Sequence, residues 1–396
     1  MKKLMFTNLL IAGVLLSALF FTFAMSRAGA PPDPPPDSTP SPTPNVVNAA
    51  SNNKTLELVF AIDTTGSMGG LIEGAKQRVW GIVNEVMQAP SRPRVRVGLV
   101  AYRDRGDQYV TQITPLTEDL DVVYSRLMDF RADGGGDTPE DVRRALADAV
   151  HKAGWAQQSS NVAQILFLVG DAPPHEDYQD EPDAVRTVQQ ARQREIVVNT
   201  IQCGNLAGTR PVWQSIAQAG QGQYFSIAQD GGVAVITTPY DEKLGTLSNQ
   251  LGGTYLTYGE ADKQAASSAK FKEAESKIAT AAPMVAQADR ALNKAVNSRA
   301  YDGDLLQEVE SGRLKLEDVK EAELPTELKK LSAADRKKEV EKRMAERSKL
   351  REQITQLSKQ RAEYLEAERK KQKQPTGFDA AVSAALKAQL ANKGIR

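Results

Sequence analysis

Cysteine and histidine are almost missing from this sequence: of 396 residues one is a cysteine, Cys203, and two are histidines, His151 and His175. A single thiol excludes an intramolecular disulfide and a thiolate metal cluster, and within the apolar run Val198 to Cys203 it reads as a small buried hydrophobe. Two histidines exclude a zinc site of three imidazoles and argue against a catalytic triad. His151 falls on an expected helix and reads as a surface residue. Net charge is also lacking, since 50 Lys and Arg face 50 Asp and Glu. Nothing in that balance calls for nucleic acid or an anionic membrane surface as partner, so any electrostatic function has to be local. Only one long apolar run occurs. Lys2 and Lys3 precede Leu4 to about Met25, and Ala28, Gly29 and Ala30 follow, which reads as an export signal, either cleaved or kept as a single N-terminal membrane anchor. The chain is expected outside the cytoplasm, in the periplasm, in the cell envelope or secreted.

After that segment (1–30), the stretch 31–53 opens with so much proline, Pro31 to Pro44, that it reads as an extended spacer. From Lys54 short apolar runs alternate with helical periodicity, the pattern of an α/β domain with a doubly wound, mostly parallel sheet. The expected strands are Leu56 to Ile62, Val95 to Tyr102, Tyr109 to Thr114, Val162 to Val169, Ile196 to Ile201 and Gln223 to Ile227. Tyr109 to Thr114 should be an antiparallel edge, because the loop before it is too short for a helical crossover. Thr238-Pro239-Tyr240-Asp241 reads as a helix start and Gly252-Gly253 as its stop, which closes the domain at 54–253. A helical extension, 254–396, follows. In it Leu350, Ile354, Leu357 and Tyr364 make a weak coiled-coil seam, compatible with a dimer or a helical hairpin, and the charge density suggests mobile helices for assembly or docking. The oligomeric state stays open.

Three segments carry chemistry. Asp63 ends an apolar strand and opens a turn with Thr65 and Ser67, at the sheet edge where ligands of open α/β folds bind. Gly134-Gly135-Gly136-Asp137-Thr138-Pro139-Glu140 is a glycine loop entering a helix, with Asp137 or Thr138 as a further oxygen donor. Leu166 to Gly170 is a buried strand that delivers Asp171 to the same edge. Hydroxyls and carboxylates are hard donors, suited to Mg²⁺ or Mn²⁺. In this order the segments resemble the metal-ion-dependent adhesion site (MIDAS) of von Willebrand factor A (VWA) domains. With Tyr102-Arg103-Asp104 and Asp171 to His175, they look like the subtype found in alpha-kinase proteins and bacterial secreted proteins. The resemblance implies direct metal binding by Thr65 and Ser67, and a role for Asp63 and Asp171 through waters or hydrogen bonds. It also implies an open coordination position that a partner's Asp or Glu completes, a non-enzymatic, reversible grip.

Other readings compete. Capping of the next helix would account for Asp63, Thr65 and Ser67, but not for Asp171 and the glycine loop. The run Ala61 to Ser67 also resembles the phosphoaspartate turn of haloacid-dehalogenase-type phosphatases, with Asp63 as nucleophile. A third possibility is a structural envelope protein acting through its helical tail. His175 reads as a loop residue held by backbone, or as a neighbour of the metal. Arg105-Gly106-Asp107 reads as a chance match to an integrin-binding tripeptide.

Overall fold

The computed structural model describes residues 54–233, 236–297, 299–301, 303–371 and 377–395. The expected export segment and proline-rich spacer lie outside the described residues. Alternate residues of the first strand, Leu58, Phe60 and Ile62 against Val59 and Ala61, are all buried. A strand apolar on both sides has to be covered on both sides, and this one lies in the middle of the sheet. Strands β1 (Thr55–Asp63), β2 (Arg94–Tyr102), β3 (Thr111–Thr117), β4 (Val162–Gly170), β5 (Ile196–Cys203) and β6 (Gln221–Ile227) form one six-stranded sheet in the order β3-β2-β1-β4-β5-β6. All neighbours are parallel except β2 and β3. The antiparallel edge is present as expected but begins two residues later. Tyr109 is used instead under the loop, where Arg103 stacks on its ring at 4.6 Å.

Helices α1 (Gly69–Met87) and α2 (Leu120–Asp129) cover one face, and α3 (Val142–Lys152), α4 (Ala184–Gln193) and α5 (Thr209–Ala219) cover the other. The expected helix after Thr238 is α6 (Asp241–Gly252). Its start is displaced because the Asp241 carboxylate accepts from both the backbone N–H and the hydroxyl of Thr238, at 2.8 and 2.9 Å, which closes a turn ahead of the helix.

The extension comprises α7 (Ala261–Ala281), α8 (Met284–Val296), α9 (Leu305–Glu310), α10 (Thr326–Lys329), α11 (Ala333–Lys371) and α12 (Phe378–Asn392). It packs back on the α/β part. Leu350 and Ile354 of α11 are buried with Leu244, Leu247 and Leu251 of α6 and Ala288 and Ala291 of α8, and Leu357 packs against the same cluster. Tyr364 meets Tyr240 edge-on at 6.3 Å. The expected seam is therefore occupied by helices of the same chain. Buried charges add clasps: Arg361 bonds Asp241 and Asp289, both at 2.6 Å, Arg347 pairs with Asp304, and Arg290 of α8 pairs with Asp121 of α2 and Glu275 of α7. Helix α12 enters the sheet core itself. Phe378 lies 6.0 Å from the ring of Phe60, and Val382, Ala385 and Leu386 join the same cluster as β1, β4 and α1. Burial of Phe378, Val382 and Leu386 contributes about 1.5–3 kcal/mol each.

Candidate metal centre

The sheet order reverses direction at β1, which has β2 on one side and β4 on the other, and the carboxyl ends of these central strands form a crevice. Asp63, the last residue of β1, is 0% exposed. Its Oδ1 accepts from the backbone N–H and the hydroxyl of Thr65, at 2.8 and 2.7 Å. Its Oδ2 is buried with no hydrogen-bond partner. Gly170, at the end of β4, makes room for that oxygen, since a Cβ there would stand 3.1 Å from it. Asp171 follows, with its Oδ2 accepting from Gln229 Nε2 at 2.6 Å. The same amide reaches the backbone oxygen of Ser67 at 3.3 Å, so the Ser67 turn and Asp171 are held side by side. Ser67 is exposed in the short turn Gly66–Met68.

The glycine loop is anchored beside this turn. Gly66 N–H donates to Gly134 O at 3.2 Å, and the Asp107 carboxylate accepts from Gly135 N–H at 3.0 Å. Gly134 and Gly135 both sit at φ +78°, and a Cβ on Gly134 would fall 2.3 Å from Asp107 Oδ1. Only glycine fits there. The Arg105-Gly106-Asp107 tripeptide thus has an internal use through its aspartate.

The loop delivers a different carboxylate to the centre from those singled out in the sequence. Glu140, 4% exposed, places Oε1 3.1 Å from where a Cβ of Gly135 would stand, next to Thr65, and its Oε2 is buried without a partner. Its backbone is pinned by a bond to Pro173 O at 3.0 Å and by His175 N–H donating to Glu140 O at 3.2 Å. Thr138 is exposed. Asp137, its side chain 60% exposed, lies 3.7 Å from His175 Nε2. Asp63, Thr65, Asp171 and the Ser67 turn thus share the crevice with Glu140, while Asp137 faces the histidine. One clue to Glu140 was present: Glu140 and Asp141 stand together at a helix entrance that needs one cap, and Asp141 is the cap, accepting from Arg144 N–H at 3.0 Å.

Burial pushes Asp63 up to about 7, against the opposing Thr65 hydrogen bonds; the charge of Asp171 adds to the rise and Arg103 offsets part of it. Glu140 is pushed up to about 9 by burial first and then by the charges of Asp63 and Asp104, with the Thr65 hydroxyl opposing. Arg103 is engaged elsewhere, donating to Thr64 O and Arg131 O at 3.1 and 2.7 Å. Two orphaned buried carboxylate oxygens, a third carboxylate and two hydroxyl-bearing residues make a donor set of hard oxygens, which fits a divalent cation.

The sequence model of the von Willebrand factor A domain matches residues 57–239, which span β1 to β6 and every residue of this centre. The chain contains a VWA domain. Domains of this family generally serve protein interaction or adhesion. An ariadne-like RING finger protein of Acanthamoeba polyphaga mimivirus is 28% identical over 127 residues, 31% of this chain and 12% of that protein. Von Willebrand factor A domain-containing protein 7 of Rattus norvegicus is 39% identical over 89 residues, 22% of this chain and 9% of that protein. The matched stretch spans about a tenth of the length of these relatives. Among solved structures, the VWA domain of SpRpn10 aligns with a TM-score of 0.34 and 17% identity, over 44% of this chain and 88% of that one. Proximal thread matrix protein 1 of the mussel byssus aligns at 0.33 and 12%, over 45% and 43%.

Proposed function

We propose that this centre holds Mg²⁺ or Mn²⁺ and that the VWA domain uses the loaded site to grip an Asp or Glu side chain of a protein partner, without making or breaking covalent bonds. The observation that carries this reading is the pair of buried, unpartnered oxygens, Asp63 Oδ2 and Glu140 Oε2, beside Asp171. Buried acceptors left unpaired cost free energy that a cation recovers. Asp63, Thr65, Ser67, Asp171 and Glu140 would hold the ion, with Thr138 at the rim. Glu140 sets the charge balance. Protonated, it leaves a dication matched by Asp63 and Asp171 and receptive to one more anion; ionised, it makes the loaded centre negative and repels that anion. Together with the export signal in the sequence, this describes an exported binding or scaffold protein of the cell envelope, periplasm or medium, of the bacterial secreted type.

The test is calorimetric titration of the full chain with Mg²⁺ and Mn²⁺, followed by capture of an acidic peptide with and without chelator. Wild type should bind one ion at the centre, Asp63→Ala none there, and Glu140→Gln should keep the peptide. Absence of metal binding by wild type, or equal binding by Asp63→Ala, would remove the reading.

A further inference from the structure

Asp104, Asp137 and His175 come from three different loops, after β2, before α3 and after β4, and offer ligand atoms that all lie within 4.8 Å of one another. His175 is 6% exposed. Its Nδ1 meets Asp177 Oδ1 at 2.8 Å, and a carboxylate at that distance assigns the ring proton to Nδ1. In the neutral ring the other nitrogen presents a lone pair. Nε2 is buried without a hydrogen-bond partner and points at Asp104 Oδ2, 3.3 Å away, and at Asp137 Oδ1, 3.7 Å away. Two carboxylates aimed at one ring nitrogen call for a positive charge between them, which a proton or a metal ion supplies.

We propose that these three side chains form a second cation site, distinct from the Asp63 centre, that takes a transition-metal dication of the Zn²⁺ class. Three donors about 2.1 Å from a tetrahedral zinc stand about 3.4 Å apart, close to the observed separations from Nε2. The imidazole makes the choice of metal: all-oxygen donors suit Mg²⁺, whereas nitrogen with carboxylates selects zinc and its neighbours. The surroundings already orient the ligands. Asp177 holds the imidazole tautomer, as carboxylates behind metal-binding histidines do. Tyr178 donates its hydroxyl to Asp104 Oδ1 and Oδ2 at 2.8 and 3.0 Å and stacks on the His175 ring at 4.1 Å, with Arg105 over the tyrosine at 3.9 Å. Asp137, the exposed ligand, leaves the remaining position open to solvent. Glu140 joins the two sites, since its backbone oxygen takes the N–H of His175 while its carboxyl faces Asp63.

The experiment titrates the full chain with Zn²⁺, and with Co²⁺ as its visible-absorbing substitute, under a large excess of Mg²⁺ that occupies the first centre. One equivalent of Zn²⁺ should bind. Asp63→Asn should leave it unchanged, and His175→Gln should weaken it at least 100-fold. Asp137→Ala, which removes an exposed side chain and so leaves the fold intact, should weaken it about 10-fold, as should Asp177→Asn. The Co²⁺ spectrum should lose intensity in the His175 variant. The proposal is overturned if no Zn²⁺ binds under Mg²⁺, if His175→Gln and Asp137→Ala bind as wild type does, or if Asp63→Asn alone removes the ion, which would place zinc in the first centre. It is equally overturned if nitrogen NMR shows both ring nitrogens of His175 protonated and unmoved by Zn²⁺.

Discussion

Asp63 and Glu140 at the sheet edge, and Asp121 and Glu275 beside α8, are all buried carboxylates, yet burial has opposite outcomes in the two regions. Beside α8 burial also raises the carboxyls, but Arg290 and Lys294 more than offset it, and both acids are held below their usual range. Lys294 is itself pushed down to about 8 by burial and by Arg290. At the sheet edge, among the described residues, no guanidinium or ammonium bonds Asp63 or Glu140, and their values rise. An acid buried with its cation is part of the architecture. An acid buried without one stores an unfavourable interaction that a ligand from outside can relieve, which is how binding sites come to be less stable than their surroundings.

Removing a charge should therefore have opposite effects in the two regions. The largest effect is expected for Arg290→Ala, which strips Asp121 and Glu275 of their shared buried partner: about 3–5 kcal/mol should be lost in urea unfolding of the full chain. Asp63→Ala should abolish calorimetric Mg²⁺ binding at the centre while leaving the metal-free melting temperature unchanged or higher, because a strained anion has gone. The pH dependence comes next. For Asp63 and Glu140 the folded pKa lies above the unfolded one, so their contribution is fully present below about pH 4 and is lost as pH rises through about 7 and 9. For Asp121 and Glu275 the folded value is lowered, so their contribution is present above the ordinary 3.8 and 4.5 and is lost as pH falls below them. Melting curves in chelator should show the upper-limb loss, which Mg²⁺ removes, whereas the acid limb should be the same with or without metal; a metal-free protein equally stable at pH 5 and 9 would break the contrast. Ser67→Ala should be mildest, weakening Mg²⁺ by less than about 10-fold, since water can replace one neutral ligand.

The α/β sheet was legible because its central strands are apolar on both faces and cannot be mistaken for amphipathic helix. β3 was legible in kind but not in register: it lies at the edge and tolerates Pro115 within it, so composition marks its limits poorly. Asp63 and Asp171 could be read from strand ends, whereas Glu140 was hidden behind a helix-start pattern. Asp137 adjoins Thr138 in sequence, but the left-handed turn at Gly134 and Gly135 precedes it, and the side chain ends beside His175. Its grouping with Asp104 comes from chain reversals that no spacing encodes. In α11 the charge density concealed a stripe repeating every seven residues, Val340, Arg347, Ile354 and Arg361, all buried. Two arginines in that stripe read as solvated surface until their partners, Asp304, Asp241 and Asp289, are brought to them by other helices.

Helix α12 closes a long circuit: Lys54, at the mouth of β1, donates through Nζ to the backbone oxygens of Lys393 and Gly394, 339 and 340 residues away in the chain. A ribosome adding roughly 5–20 residues per second delivers that helix many seconds after β1 has emerged. Until then the Phe60 side of the sheet has no Phe378 to cover it. The growing chain passes through an interval in which the Asp63 turn is complete in sequence but its scaffold is open on one side, and the last helix acts as a latch on the whole assembly.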